Sequence, residues 1–303
     1  MPVRRSCTLH PTPYTLVFLL LAAPLSAQSL YDQARSARSR GQLDSAWDLI
    51  QRAAEAEPNR AEVQFLLGDL ACSRAQQASA FSAFGLARKC KAGFARAAAL
   101  APDNLEYVAS FASYLAQAPG IVGGDRDSAQ KLIALVRSRD EVRGVFLQAG
   151  LWLEGNAAAK ERADSIVDAL GKARAGERQT QLRVAGWWDG TRRPERALAV
   201  YEAMAVRDPN DAVAHFYVGR ELVLLKRNPR EAQDHLRFAA AATVPAPGSN
   251  APTFVPGAPW YRLGQTYVQL GMSDSARLCF RRALEVNPQL DAARASLDSL
   301  THH

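Results

Sequence analysis

The sequence predicts an all-α fold, a stack of about seven helical hairpins closed by one further helix. Three observations predict it. From Ser29 onward apolar residues recur at spacings of three and four, the period of one helix face. Alanine is abundant, and no run of β-branched residues reads as a strand. The tripeptides Glu57-Pro58-Asn59, Asp208-Pro209-Asn210 and Asn287-Pro288-Gln289 punctuate the helical windows alike. In each, proline lacks an amide donor and restrains the residue before it, so a helix must end there.

Residues 1–27 read as an export signal. Arg4 and Arg5 give a positive start, Tyr14 to Ala23 is a short apolar run, and Pro24-Leu25-Ser26-Ala27 offers a small residue for cleavage before Gln28. The run is short for a membrane span, which needs about 20 residues. No cysteine follows the expected cut, which argues against a lipid anchor. Retention as an uncleaved anchor is the alternative. The expected location is the periplasm or the exterior, with no integral membrane segment once the signal is removed.

The hairpins follow in order over 28–59, 60–104, 105–140, 141–175, 176–210, 211–256 and 257–290, with a polar closing helix at 291–300. The first carries Ala34, Ala46, Ile50 and Ala53 as small and apolar contacts, and the second Leu67, Gly68, Phe94 and Ala97. The third has Phe111, Ala112, Leu115, Ala129, Ile133 and Val136; the fourth Phe146, Gly150, Leu153, Ala163, Val167 and Leu170. The fifth uses Ala185, Trp188, Ala197, Tyr201 and Met204, and the sixth Phe216, Val218, Gly219, Leu222, Ala232 and Leu236. In the closing helix Ala292, Ala293, Ala295, Leu297 and Leu300 are expected to cover the last hairpin, and Asp291, Arg294, Asp298 and Ser299 to face water.

The seventh hairpin is the clearest. Trp260, Leu263, Gly264 and Tyr267 fall as W-x2-L-G-x2-Y, then come Ala276, Phe280, Ala283 and Pro288. Gly264 and Ala276 are small where two helices must approach closely, and Trp260 and Tyr267 fill the space beside them. This segment resembles a tetratricopeptide repeat at each of those positions, and weaker copies extend the resemblance over nearly all of the mature chain. The resemblance implies a right-handed superhelix of hairpins whose first helices line a concave groove. It implies groove positions at Tyr31, Arg35, Arg38, Phe65, Asp69, Leu151, Glu154, Asp189, Phe216, Arg220, Tyr261, Gln265 and Val268. Aromatic anchors among charges of both signs suit an extended peptide or a partner helix. The Lys and Asn set with which cytosolic members clamp a terminal carboxylate is missing.

Three segments interrupt the register. Residues 73–89 add about ten positions within the second hairpin, bracketed by Cys72 and Cys90. In repeat register Cys90 takes the small position facing the first helix, and Cys72 lies one turn beyond Gly68. A disulfide between them is the expectation for an exported protein, with two buried thiols as the alternative. Cys279 is expected to be an unpaired core residue. Ala118 to Asp125, rich in glycine, lacks the Gly-Lys-Ser/Thr of a phosphate loop and reads as a longer turn, with Asp125 and Asp127 as candidate caps. Such an insert resembles that of some exported bacterial members of this family. Val244 to Pro259 carries five prolines and two glycines and is extended. Its Thr253-Phe254-Val255 either packs as a connector or reaches toward the groove.

The net charge is +7 and the isoelectric point near 9.4. Basic and acidic residues interleave nearly everywhere, as in Arg192-Arg193-Pro194-Glu195-Arg196, and no basic run with interleaved aromatics stands out. Nucleic acid is therefore not the expected partner. His215 and His235 fall in one hairpin and His302 and His303 at the terminus, without the clustered ligands a metal requires. H-E-x-x-H, G-x-S-x-G and nucleotide fingerprints are missing. The reading is a non-catalytic scaffold for an unidentified protein or peptide, with no cofactor and no metal. The alternative is a solute- or glycan-binding helical-repeat protein of the envelope, favoured if Trp152 and Trp188 prove accessible.

Overall fold

The computed structural model describes residues 29–242 and 254–301. The expected signal segment, Thr253 and the terminal His302 and His303 lie outside the described residues. Every regular element described is helical. The first hairpin is α1 (Leu30–Ser39) and α2 (Leu43–Ala56), and the second α3 (Ala61–Gln77) and α4 (Ala80–Leu100). Then come α5 (Leu105–Gln117) with α6 (Arg126–Arg139), α7 (Glu141–Leu153) with α8 (Ala157–Ala173), and α9 (Arg178–Gly190) with α10 (Pro194–Arg207). α11 (Ala212–Leu224) pairs with α12 (Pro229–Ala241), α13 (Ala258–Gln269) with α14 (Ser273–Val286), and α15 (Asp291–Thr301) closes the series.

Where the sequence reads as one array, the chain divides into two compact units, Met1–Ala101 and Pro102–His303. In the first, Ala34, Ala46, Ile50, Ala53, Val63 and Cys90 are fully buried. Small residues let α1 lie close to α2 and α3 to α4. The insertion at 73–89 is not a loop. It is absorbed as extra helical turns, making α3 17 residues long and α4 21, against 12 and 14 for α13 and α14. Cys72 and Cys90 are joined by a disulfide with their Cα atoms 5.1 Å apart. Constraining the unfolded chain in this way is worth about 3 kcal/mol for a loop of this size.

The second unit has a continuous apolar core from Val145 through Trp188, Tyr201, Val218 and Leu236 to Leu263 and Cys279. Cys279 is a buried free thiol. Polar side chains start its helices: Asn104, Asp125, Asp140, Asn156 and Asp211 each accept amide hydrogens of the first turn. The 118–125 insert folds upon itself through a short 3-10 turn at Gly120–Val122. The Gly123, Gly124 and Asp125 amides donate to the Gly120, Pro119 and Leu115 carbonyls. Those amides are spent and cannot cradle an anion. Gly257 starts α13 at φ 81°, and a Cβ there would lie 2.6 Å from the Ala283 carbonyl oxygen, so the position requires glycine.

One expectation needs correction, and one open alternative is decided. In α15 only Ala293 is fully buried, while Ala292 and Ala295 are exposed, because the helix touches α14 along a narrow stripe. At the described end of the third insertion Phe254 is buried, 4.7 Å from Phe216 ring to ring. That end is a packed connector.

Candidate functional site

α9, α11 and α13, the first helices of the last three hairpins, carry Asp189, Arg220, Tyr261 and Gln265 of the expected groove, with others the sequence reading passed over. Arg220, on α11, is the hub. Its guanidinium bonds Asp189 of α9, reaches Glu221 Oε1 at 2.5 Å, and lies 4.4 Å over the Tyr217 ring. Tyr217 stacks on Tyr201 of α10 with centroids 4.7 Å apart, and the Tyr201 hydroxyl donates to Asp189 at 3.1 Å. Asp189, Arg220, Tyr217 and Tyr201 thus form a closed ring of contacts joining two hairpins.

Burial shapes the electrostatics. Glu221 is 1% exposed, and burial pushes its carboxyl up despite the adjacent Arg220. Burial, then the Asp189 charge, raises the Tyr201 hydroxyl far above its ordinary range, so it stays a donor. Arg220 meets two carboxylates, so its charge is largely used inside the protein.

Arg262 on α13 differs. It is half-buried, and burial, with Arg220 nearby, lowers its pKa. Its hydrogen bond goes to Gln265 Oε1 at 2.8 Å, and Gln265 Nε2 donates to the Tyr261 hydroxyl at 2.9 Å. No carboxylate among the described residues forms an ion pair with it. Glu221 acts on it only at a distance and is shared with Arg220. A cation held in place, partly dehydrated and without a carboxylate in direct contact is a prepared contact for an anionic group. Sequence reasoning named Tyr261 and Gln265 and missed Arg262 between them. The signal was its place on the same helix, one residue from Tyr261 and three from Gln265.

Arg178 and Asp211 make the other strong pair of this unit. Arg178 grips Asp211 through two bonds of 2.5 and 2.8 Å, while Asp211 Oδ1 caps α11. Burial opposes its ionisation, but Arg178 and the two amides outweigh it and hold the carboxyl below its usual range.

Two expected groove positions are corrected. Leu151 is 8% exposed and packs with Ala112, Leu115 and Ile133, because α5 and α6 cover that face of α7. Phe216 is 5% exposed beneath Phe254. Neither offers free surface. Glu154, at the end of α7, and Val268, on α13, are exposed.

In the first unit Arg38 of α1 pairs with Asp69 of α3 at 2.5 Å, and Phe65 meets Phe94 at 5.5 Å. Tyr31 lies under Arg60 at 4.7 Å, with Arg35 at 5.8 Å. Arg35 and Arg38 line an open depression along α1 with Asp32, Ser36 and Ser39. Among the described residues no three His, Cys, Asp or Glu side chains are placed to share a metal ion. No described helix is long and apolar enough to cross a membrane.

The tetratricopeptide repeat model matches residues 258–290. No curated protein matches the chain in sequence. Similar solved structures include a tetratricopeptide repeat protein from Parabacteroides merdae, at 13% identity over 90% of this chain and 98% of that one, with a TM-score of 0.48. A thermophilic protein of the same kind from Thermus thermophilus is 16% identical over 91% and 99%, with a TM-score of 0.31. The human IFIT1 dimer with m7Gppp-AAAA is 14% identical over 85% of this chain and 59% of that one, with a TM-score of 0.50. At such identity the likeness concerns the fold alone. Repeats of this family serve in general as non-catalytic scaffolds for protein partners.

Proposed function

We propose, from the premise that this chain is a tetratricopeptide repeat protein, that it is an exported scaffold whose first helices receive an extended polypeptide bearing carboxylates. The observation that carries the reading is Arg262, half-buried, oriented by Gln265 and with no carboxylate in direct contact. A carboxylate from a bound peptide would supply the missing charge, with the Tyr261 ring beside it for an apolar neighbour. Arg220 is fastened to Asp189 and Glu221 and serves as the wall of the site. Export rests on the basic start, short apolar run and small cleavage residues of 1–27. The solute- or glycan-binding alternative asked for accessible Trp152 and Trp188. Trp188 is 1% exposed, and Arg162 covers Trp152 at 4.5 Å, so that reading stands second.

The test uses the mature chain from Gln28, immobilised and exposed to envelope extract. A retained polypeptide is expected, and Arg262→Gln, which keeps the polar contact and removes the charge, should release it while the helical circular-dichroism signal matches the parent. If nothing polypeptide is retained and a small molecule raises the melting temperature instead, the reading fails. Export is tested separately: the N-terminus of the protein recovered outside the cytoplasm should be Gln28.

A further inference from the structure

The helical extension of the second hairpin lines an open depression with α2, through Ser73, Arg74, Ser79, Ser82 and Leu86, and beyond it leaves an unusual surface. Phe81 is 94% exposed and Phe84 39%. Both lie near the start of α4, three residues apart and therefore on one face. Gly85, Arg88 and Ala92 continue that exposed stripe along the helix. Between Asp69 and Asp103 the chain has no acidic residue and five basic ones, Arg74, Arg88, Lys89, Lys91 and Arg96. The overall interleaving of charge expected from the sequence breaks down in this segment, where Phe81 and Phe84 precede Arg88, Lys89 and Lys91. Arg74 is neutralised by Asp44 at 2.6 Å. Arg88, Lys89 and Lys91 form no ion pair among the described residues. Arg88 lies 5.8 Å from the Phe84 ring, and Lys89 lies 5.5 Å from Trp47. The disulfide at Cys72 and Cys90 fastens the base of the extension.

We propose that this tip is a membrane-surface contact: Phe81 and Phe84 enter the interfacial zone of a bilayer while Arg88 and Lys91, on the same face, meet anionic headgroups, Lys89 being turned onto Trp47 and Gln51 of α2. The pairing of aromatic insertion with uncompensated cations is what an anionic lipid surface recognises. A polypeptide partner would have to bring a complete pocket for a ring that its own chain scarcely touches, whereas acyl chains close around it without shape matching. Nucleic acid is less well served, because the depression beside the rings carries Asp44, which already holds Arg74, and so offers a backbone no free cation.

The test is co-sedimentation of the mature chain with phosphatidylcholine vesicles, with and without about one third phosphatidylglycerol. Binding is expected only with the anionic lipid, and should fall as salt is raised. Phe81→Ser with Phe84→Ser should weaken it about tenfold or more, and Arg88→Glu with Lys91→Glu should abolish it. Circular dichroism and melting temperature should match the parent, since the altered Phe side chains are exposed. Failure to bind phosphatidylglycerol vesicles at low salt overturns the proposal, and so does equal binding by the Phe81/Phe84 variant. A dimer in sedimentation velocity that the same variant dissolves would assign the patch to a second copy and overturn it. Displacement from vesicles by a short single-stranded RNA, coupled to direct RNA binding that the variant loses, would overturn it as well.

Discussion

The second and seventh hairpins have the same register and close by different means. In the seventh, Gly264 of α13 lies under the Phe280 ring of α14; a Cβ on Gly264 would come within 2.4 Å of that ring. In the second, Gly68 of α3 lies under Phe94 in the same way, at 2.9 Å, but Gly93 of α4 also meets the backbone of α3. A Cβ on Gly93 would lie 2.6 Å from the Gly68 nitrogen and 2.7 Å from the Gln64 oxygen. Where the second hairpin has Cys90, bridged to Cys72, the seventh has Ala276. At the helix crossing the seventh is held by ring packing, its close backbone approach coming only at the start of α13, where Gly257 meets the Ala283 carbonyl. The second is held by backbone contact and a covalent tie, and it carries longer helices beyond that point. The tie gives the extended tip a rigid base that a standard repeat does not need.

Three substitutions probe that difference. Gly93→Ala should have the largest effect, about 3 kcal/mol or more in urea denaturation, because backbone on both sides must move. Reducing the disulfide, or Cys72→Ala with Cys90→Ala, should cost about 3 kcal/mol in the first unit and leave the unfolding of the second unchanged. Gly264→Ala should cost about 2 kcal/mol, since a ring can shift where a backbone cannot. If Gly264→Ala proves worse than Gly93→Ala, backbone contact is not what distinguishes the hairpins.

The paired helices were legible because small residues and prolines recur at positions that geometry forces: Gly264, Ala276 and Pro288 say where two helices touch and where the second stops. The bridge was legible from register. The helical nature of 73–89 was not, since the register records only that about ten positions are added, while α3 and α4 support each other across them. Leu151 and Phe216 were misplaced for a related reason. Their register points away from their own hairpin, and only distant chain, α5 or Phe254, covers them. The importance of Arg262 rests on which carboxylates fail to reach it, and no local pattern records that.

The ion pairs of the two units extend the comparison. Arg220 and Asp189 are 20% and 24% exposed, whereas Arg38 and Asp69 are 46% and 28%. Double-mutant cycles on the melting transition should give a coupling of about 1–2 kcal/mol for the first pair and under about 1 kcal/mol for the second. Equal couplings would mean that burial does not set the difference.

The smallest effect belongs to the sixth hairpin, where His215 of α11 and His235 of α12 face each other with Nδ1 atoms 2.7 Å apart. His215 Nε2 lies 3.1 Å from the Pro209 carbonyl oxygen, which can only accept. The proton of His215 therefore sits on Nε2, and its Nδ1 accepts from His235 Nδ1–H. A further proton on His235 would place a cation in a half-buried site against a second imidazole. Burial, then His215, lowers the His235 pKa, while Glu231 and Asp234 on the same helix oppose that shift in part. The folded state thus binds this proton less readily than the unfolded chain. Stability should be undiminished above the ordinary histidine value of about 6.5. It should decline as the pH falls from there to the depressed folded value, then level off. Melting temperatures between about pH 7 and about pH 5 should show this drop, and His235→Asn should flatten it. A rise in stability on acidification would mean that Glu231 and Asp234 dominate the pair.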